Sequence, residues 1–221
     1  MKVKEKKRLA AGEFRALFTP EERELLASLS TPRLIQDFLD RTEYSSEPVY
    51  RSPRSVIRDM KAHCVDGALF ASAAMRFHGR PALVMELAAV RDDDHFLALF
   101  REGGYWGCIA KSNFVGLRFR EPIHRSYREV ALSYFESYYN MEGEKSLRGF
   151  GRAVDIARLD WTMWPIEDGL IEEHIVEAVA RAPHFALLQG WQEEGLSAVD
   201  KRTFEAGMLG ANEAGIYRLG S

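Results

Sequence analysis

Two cysteines and six histidines occur among 221 residues, and one of each stands in an order that suits a thiol nucleophile. Cys64 opens a long apolar run that extends through Ala68, Leu69 and Met75 to Phe77. His95 begins the alternating segment His95-Phe96-Leu97-Ala98-Leu99-Phe100, and Asn113 follows across a glycine turn. A thiol is mostly protonated at neutral pH, so attack on an amide or ester carbonyl needs three aids. A helix N-terminus favours the thiolate, an imidazole takes the proton, and a third group orients that imidazole. The first turn of the predicted helix supplies the first aid to Cys64, and the Cys64 N–H supplies one donor to the oxyanion. A free cysteine is otherwise a small core hydrophobe, a role that has no need of a helix start.

His95 follows the acidic run Asp92-Asp93-Asp94, where a loop enters a strand and where carboxylates would raise its basicity. His63 is the competing base, but side chains at neighbouring helix positions diverge. His78, His124, His174 and His184 lack a comparable setting. The third member depends on hairpin register. If Gly103-Gly104 is a two-residue loop, Glu102 pairs with Tyr105 and His95 falls opposite Ser112; one added residue moves the partner to Asn113. A carboxamide oxygen accepts from an imidazole N–H without adding charge, which favours Asn113 and leaves Ser112 as the alternative.

Two metal readings compete. The Asp92–Asp94 run lacks the glycine turn and distal glutamate of an EF-hand and reads as a solvated turn. Zinc on Cys64, Cys108, His63 and His95 has no C-x-x-C or H-x-x-x-H spacing behind it. No cofactor or metal is expected. Tyr105 and Trp106 are candidates to line a groove or to pack as half-buried strand aromatics.

These residues need a scaffold, and the chain spells one out. Thr19-Pro20, Thr31-Pro32 and Ser52-Pro53 each place a hydroxyl cap before a first-turn proline, predicting three helix starts. Leu34, Ile35, Phe38 and Leu39 recur at helical spacing, as do Val56, Ile57 and Met60. Arg41 to Ser52 reads as a loop. The central helix runs from Cys64 to His78 and stops at Gly79; its small residues allow close approach to a sheet. Strands are predicted over 82–89, 95–101 and 105–111, with a short one over 117–120. After Pro122 the pattern turns helical, with a cap at Ser126 and the aromatic residues Tyr134, Phe135, Tyr138 and Tyr139 at its end. From Arg152 onward it stays helical, broken by Pro165 and Pro183, with no chemistry assigned. The expected organisation is a helical cap (1–51), a catalytic core (52–150) and a helical extension (151–221) within one α+β domain.

Composition narrows the function classes. A formal charge of −3 with acids and bases intermixed argues against nucleic acid as the partner. The basic start Met1-Lys2-Val3-Lys4-Glu5-Lys6-Lys7-Arg8 has no apolar segment behind it and reads as a solvated tail, not a signal peptide. No apolar run has membrane-spanning length. Two cysteines are too few for a disulfide framework and suit a reducing cytoplasm. The oligomeric state is left open.

The stretch Cys64-Val65-Asp66-Gly67-Ala68-Leu69, followed by Met75-Arg76-Phe77-His78-Gly79-Arg80-Pro81-Ala82, resembles the core signature of the transglutaminase-like superfamily, a branch of the papain-like cysteine enzymes. The likeness spans roughly Ser52 to Arg120. It departs at Ala62-His63, where the family often has glycine, at Phe96-Leu97 after the histidine, and at Ser112-Asn113-Phe114, where the family favours aspartate before proline. The resemblance implies a central helix packed on an antiparallel sheet and a Cys64, His95, Asn113 triad. It further implies a thioester resolved by water (a protease or amidase) or by an amine (an acyltransferase), on a peptide, protein or small amide substrate. The alternative is a module of the same fold that binds without catalysis.

Overall fold

The computed structural model describes residues 9–217; the basic stretch Met1–Arg8 lies outside the described residues. The three hydroxyl-proline signals start helices as predicted. After α1 (Ala11–Ala16), α2 spans Pro20–Ser28, α3 Pro32–Arg41 and α4 Pro53–Asp59. Thr19, Thr31 and Ser52 each accept a backbone N–H three residues ahead, which satisfies donors that a helix start leaves unpaired. Two short strands, β1 (Glu43–Tyr44) and β2 (Lys61–Ala62), pair in parallel, tying the loop after α3 to the residues just before Cys64.

The central helix α5 covers Cys64–Phe77, and every residue from Val65 to Phe77 is buried. A helix sealed on all sides is expected to be largely apolar, and this one is, apart from Asp66, Ser72 and Arg76. It packs against α1 to α4 on one side and a sheet on the other. That sheet contains β3 (Leu83–Ala89), β4 (His95–Glu102), β5 (Tyr105–Ile109), β6 (Arg120–His124), β7 (Leu147–Gly151), β8 (Val154–Asp155) and β9 (His184–Ala186). The strands run in the order β6-β5-β4-β3-β7-β9, with β8 also on β3, and every pairing is antiparallel. The α+β class and the helix-on-sheet arrangement therefore stand.

Two apolar clusters sandwich the sheet. Phe96, Ala98 and Phe100 face α5, while Leu97, Leu99 and Cys108 face α6 (Tyr127–Leu132) together with Tyr134 and Tyr138. The alternation along β4 is the ordinary two-residue period of a strand buried on both faces. The C-terminal third differs from the expected helical extension: β8 and β9 belong to the sheet, with a π-helical turn (Glu172–Val176) and α7 (Glu177–Ala180) between them and α8 (Gly190–Glu194) and α9 (Lys201–Gly207) after β9.

The close approach of α5 to the segment that follows β5 is set at Gly67. A Cβ there would lie 2.3 Å from the Cβ of Lys111, whose amine caps the end of α3 through the Leu39 and Thr42 carbonyls. Alanine is the better helix former by up to about 1 kcal/mol, yet overpacking costs about 1 to 3 kcal/mol. Gly67→Ala is therefore expected to lower stability in a urea titration. A gain would show that α5 and the segment carrying Lys111 are free to part.

Candidate active site

Cys64 is the first residue of α5, with His63 as its N-cap. The His63 ring is committed to structure: Nδ1 accepts the Val65 N–H at 3.1 Å, and Nε2 lies 3.4 Å from Asp66 Oδ1. An imidazole that caps the helix and faces a buried carboxylate is not placed to serve the thiol. Asp66 in turn accepts the N–H groups of Arg51 at 2.8 Å and His63 at 3.1 Å, which fixes the chain entering the helix. The Cys64 Sγ lies 3.9 Å from the Asp94 carbonyl oxygen, at the point where β4 begins.

His95 is the first residue of β4 and is buried. Its ring sits edge-on to Tyr134 and Tyr138, and Nε2 is 2.9 Å from the Leu117 carbonyl oxygen. A carbonyl only accepts, so in the neutral ring Nε2 carries the hydrogen and Nδ1 is left with the lone pair. Nδ1 has no hydrogen-bond partner among the described residues, and His95 is one of the residues that line the cavity. The thiol and the imidazole reach that cavity from opposite faces of the sheet, around the end of β4, and no hydrogen bond joins them.

The third position needs correction. The hairpin is the two-residue kind, with Gly103 and Gly104 at φ 57° and 91° and Glu102 opposite Tyr105. The ladder then stops at Ala98 opposite Ile109, because Gln36 of α3 takes the next pair of bonds. Its side chain donates to the Ala110 oxygen and accepts from the Ala110 N–H, both at 3.0 Å. Neither Ser112 nor Asn113 is carried to His95. Ser112 Oγ accepts the Phe114 N–H at 3.0 Å. The Asn113 carboxamide instead holds residues near the end of the described chain: Nδ2 donates to the oxygens of Asn212 at 2.9 Å and Gly215 at 3.2 Å, and Oδ1 accepts the Asn212 N–H at 2.7 Å. The group that meets the imidazole is a main-chain carbonyl, which no pattern of side-chain types could have announced.

The cavity has a volume of about 760 Å³ and is lined by Tyr44, Cys64, His95, Leu117 and Tyr138, with residues 214–217 on one side. Glu47, Glu86, Asp92, Asp93, Asp94 and Glu172 also line it, with no lysine or arginine among the described lining residues. Burial, with Asp93 and Asp66 adding to it, pushes the Cys64 thiol up to about 12, although the Phe96 and Val65 N–H groups pull the other way. Burial likewise holds His95 down at about 4. The resting pair is thus thiol and neutral imidazole, not thiolate and imidazolium; desolvation outweighs both the helix N-terminus and the acidic run expected to favour charge.

The other candidate groups are placed as follows. Cys108 is on the far face of the sheet, 3.0 Å from the Tyr134 hydroxyl. Among the described residues no three His, Cys, Asp or Glu side chains converge as metal ligands do. Trp106 packs edge-on against Tyr127, away from the cavity. Asp92 bonds Ser146 Oγ at 2.5 Å, so the acidic run is knitted into the fold more than a solvated turn would be. Sequence reasoning missed Glu86, a cavity residue paired with His184 at 2.7 Å, and the contribution of residues 214–217. Glu86 had a legible signal, an acid inside an apolar strand; the terminal segment had none. No helix among the described residues is long and apolar enough to cross a membrane.

Comparison with known proteins adds little. No family model and no curated protein matches the chain. Among solved structures, LapG of Legionella pneumophila overlays part of the chain. It is 16% identical with a TM-score of 0.34, over 47% of this chain and 71% of LapG. Likeness that slight assigns neither family nor activity, so the fold itself, helices packed on an antiparallel sheet with Cys64 at the head of the central helix, is what characterises the chain.

Proposed function

We propose that the protein breaks or transfers amide or ester bonds through a thioester on Cys64. The observation that carries this reading is a helix-start cysteine sharing one cavity with a histidine whose tautomer is fixed so that Nδ1 is the acceptor. In the reaction, Nδ1 of His95 takes the thiol proton as Sγ adds to the carbonyl carbon. The oxyanion is met by the Cys64 N–H, and the proton passes to the departing amine or alkoxide as its bond to carbon breaks. Water or an amine then adds to the thioester and releases the thiol. The Leu117 carbonyl orients the ring in the place assigned to Asn113 from sequence. Transfer of a thiol proton to an imidazole in concert with attack does not require a resting ion pair, so a neutral pair is compatible with turnover once substrate brings Sγ and Nδ1 together.

The direct test is mass spectrometry after a brief exposure to p-nitrophenyl acetate. An acetyl group on the peptide containing Cys64, decaying with time, is expected; acetylation confined to lysines would overturn the reading. The rival, a binding module without catalysis, is favoured by the raised thiol and by the absence of a hydrogen bond between Sγ and the ring among the described residues. It predicts no acetyl-Cys64.

A further inference from the structure

Asn113 makes three side-chain hydrogen bonds, and all of them go to one short segment. Its amide donates to the carbonyls of Asn212 and Gly215 while its oxygen accepts the Asn212 N–H, so it reads main chain and not side chain. Asn212 reciprocates by donating from Nδ2 to the Tyr44 carbonyl at 3.3 Å. Between these ties Gly215 lies flat on the Tyr44 ring: a Cβ at 215 would be 2.8 Å from Cε1 and 3.1 Å from Cδ1. Ala214, Gly215, Ile216 and Tyr217 then line the same cavity as Cys64 and His95. A peptide main chain held by a buried carboxamide along the wall of a cavity that also contains a thiol is the arrangement a peptide substrate would need.

We propose that residues 212–217 are an intramolecular ligand of this groove, occupying in the resting protein the place of a substrate peptide, and that Asn113 is the main-chain clamp for both. The substrate class is therefore an extended peptide and not a small free amide. The proposal rests on the reading of the cavity as the acyl-transfer site. Three side-chain to main-chain hydrogen bonds, each of modest net strength, keep the groove mostly closed against weak competitors and let a longer peptide displace the segment.

The test compares alkylation of Cys64 by iodoacetamide and by acetyl-trialanyl chloromethyl ketone, each read by peptide mapping, in full-length protein with circular dichroism confirming the fold. Gly215→Leu cannot lie on Tyr44 and must lift the segment; it is expected to speed the peptidyl reagent by at least about tenfold relative to iodoacetamide, a factor equal to about 1.4 kcal/mol of closure. Asn113→Ala also releases the segment but removes the clamp, so the peptidyl reagent is expected to gain less and to saturate at higher concentration. An unchanged ratio of the two rates in both variants would overturn the proposal, whatever the absolute iodoacetamide rate. If the ratio shifts while Cys64 never reacts faster than a free thiol, occupancy stands and the catalytic reading falls.

Discussion

Acetylation of Cys64 by p-nitrophenyl acetate is expected to fall by about 10² to 10⁴ in His95→Ala, the range that a positioned general base contributes, and to vanish in Cys64→Ala. The reasoning begins with the neutral thiol. With Cys64 pushed up to about 12, almost no thiolate is present at pH 7, so attack needs a base at hand when the bond forms. The ring is suited to that: the Leu117 carbonyl fixes the hydrogen on Nε2, and burial keeps Nδ1 unprotonated down to about pH 4. The acetylation rate should therefore stay level from pH 7 to about 5 and fall near 4, where an ordinary histidine would fall near 6.5. Burst amplitude of p-nitrophenolate checks both points. A decrease of less than tenfold in His95→Ala, or a titration near pH 6.5, would mean that the imidazole does not serve the sulfur.

The second large effect is on stability in mild acid. His95 is depressed from 6.5 to about 4 by desolvation. Below 6.5 the unfolded chain takes up a proton that the folded ring refuses, so unfolding becomes easier as pH falls. From that shift, the contribution of His95 is full at pH 7, lower by roughly 2 kcal/mol at pH 5 and by roughly 3 kcal/mol near pH 4. Asp92, which burial raises to about 6, works in the opposite sense, and His63, also held near 4, adds to the loss. The readout is thus the difference in urea unfolding between wild type and His95→Phe at pH 7, 5 and 4. Convergence of the two as pH falls is expected. Parallel curves would show that the ring is solvated.

How much of this was written in the sequence depends on the range of the interaction concerned. Thr19, Thr31 and Ser52 act within three residues, so the helix starts could be read from cap and proline alone. The Gly103-Gly104 turn and the register of the next five pairs were equally local. The third site residue was not, because Gln36, 74 residues from Ala110, ends the ladder before it reaches Ser112. The later strands were hidden for a similar reason. Leu147-Arg148-Gly149-Phe150-Gly151 has too many glycines to look like a strand, and is one only because β3 and β9 flank it. The state of the thiol was the least legible feature, since desolvation belongs to the assembled cavity and to no single segment.

The separation of 99 residues between Asn113 and Asn212 has a consequence for a chain being synthesised. Translation adds residues in order at about 5 to 20 per second, and early segments can fold while later ones are still being made. Cys64, His95 and the hairpin between β4 and β5 emerge well before the segment that covers them. For several seconds, then, the nascent protein would carry its nucleophile under an open roof.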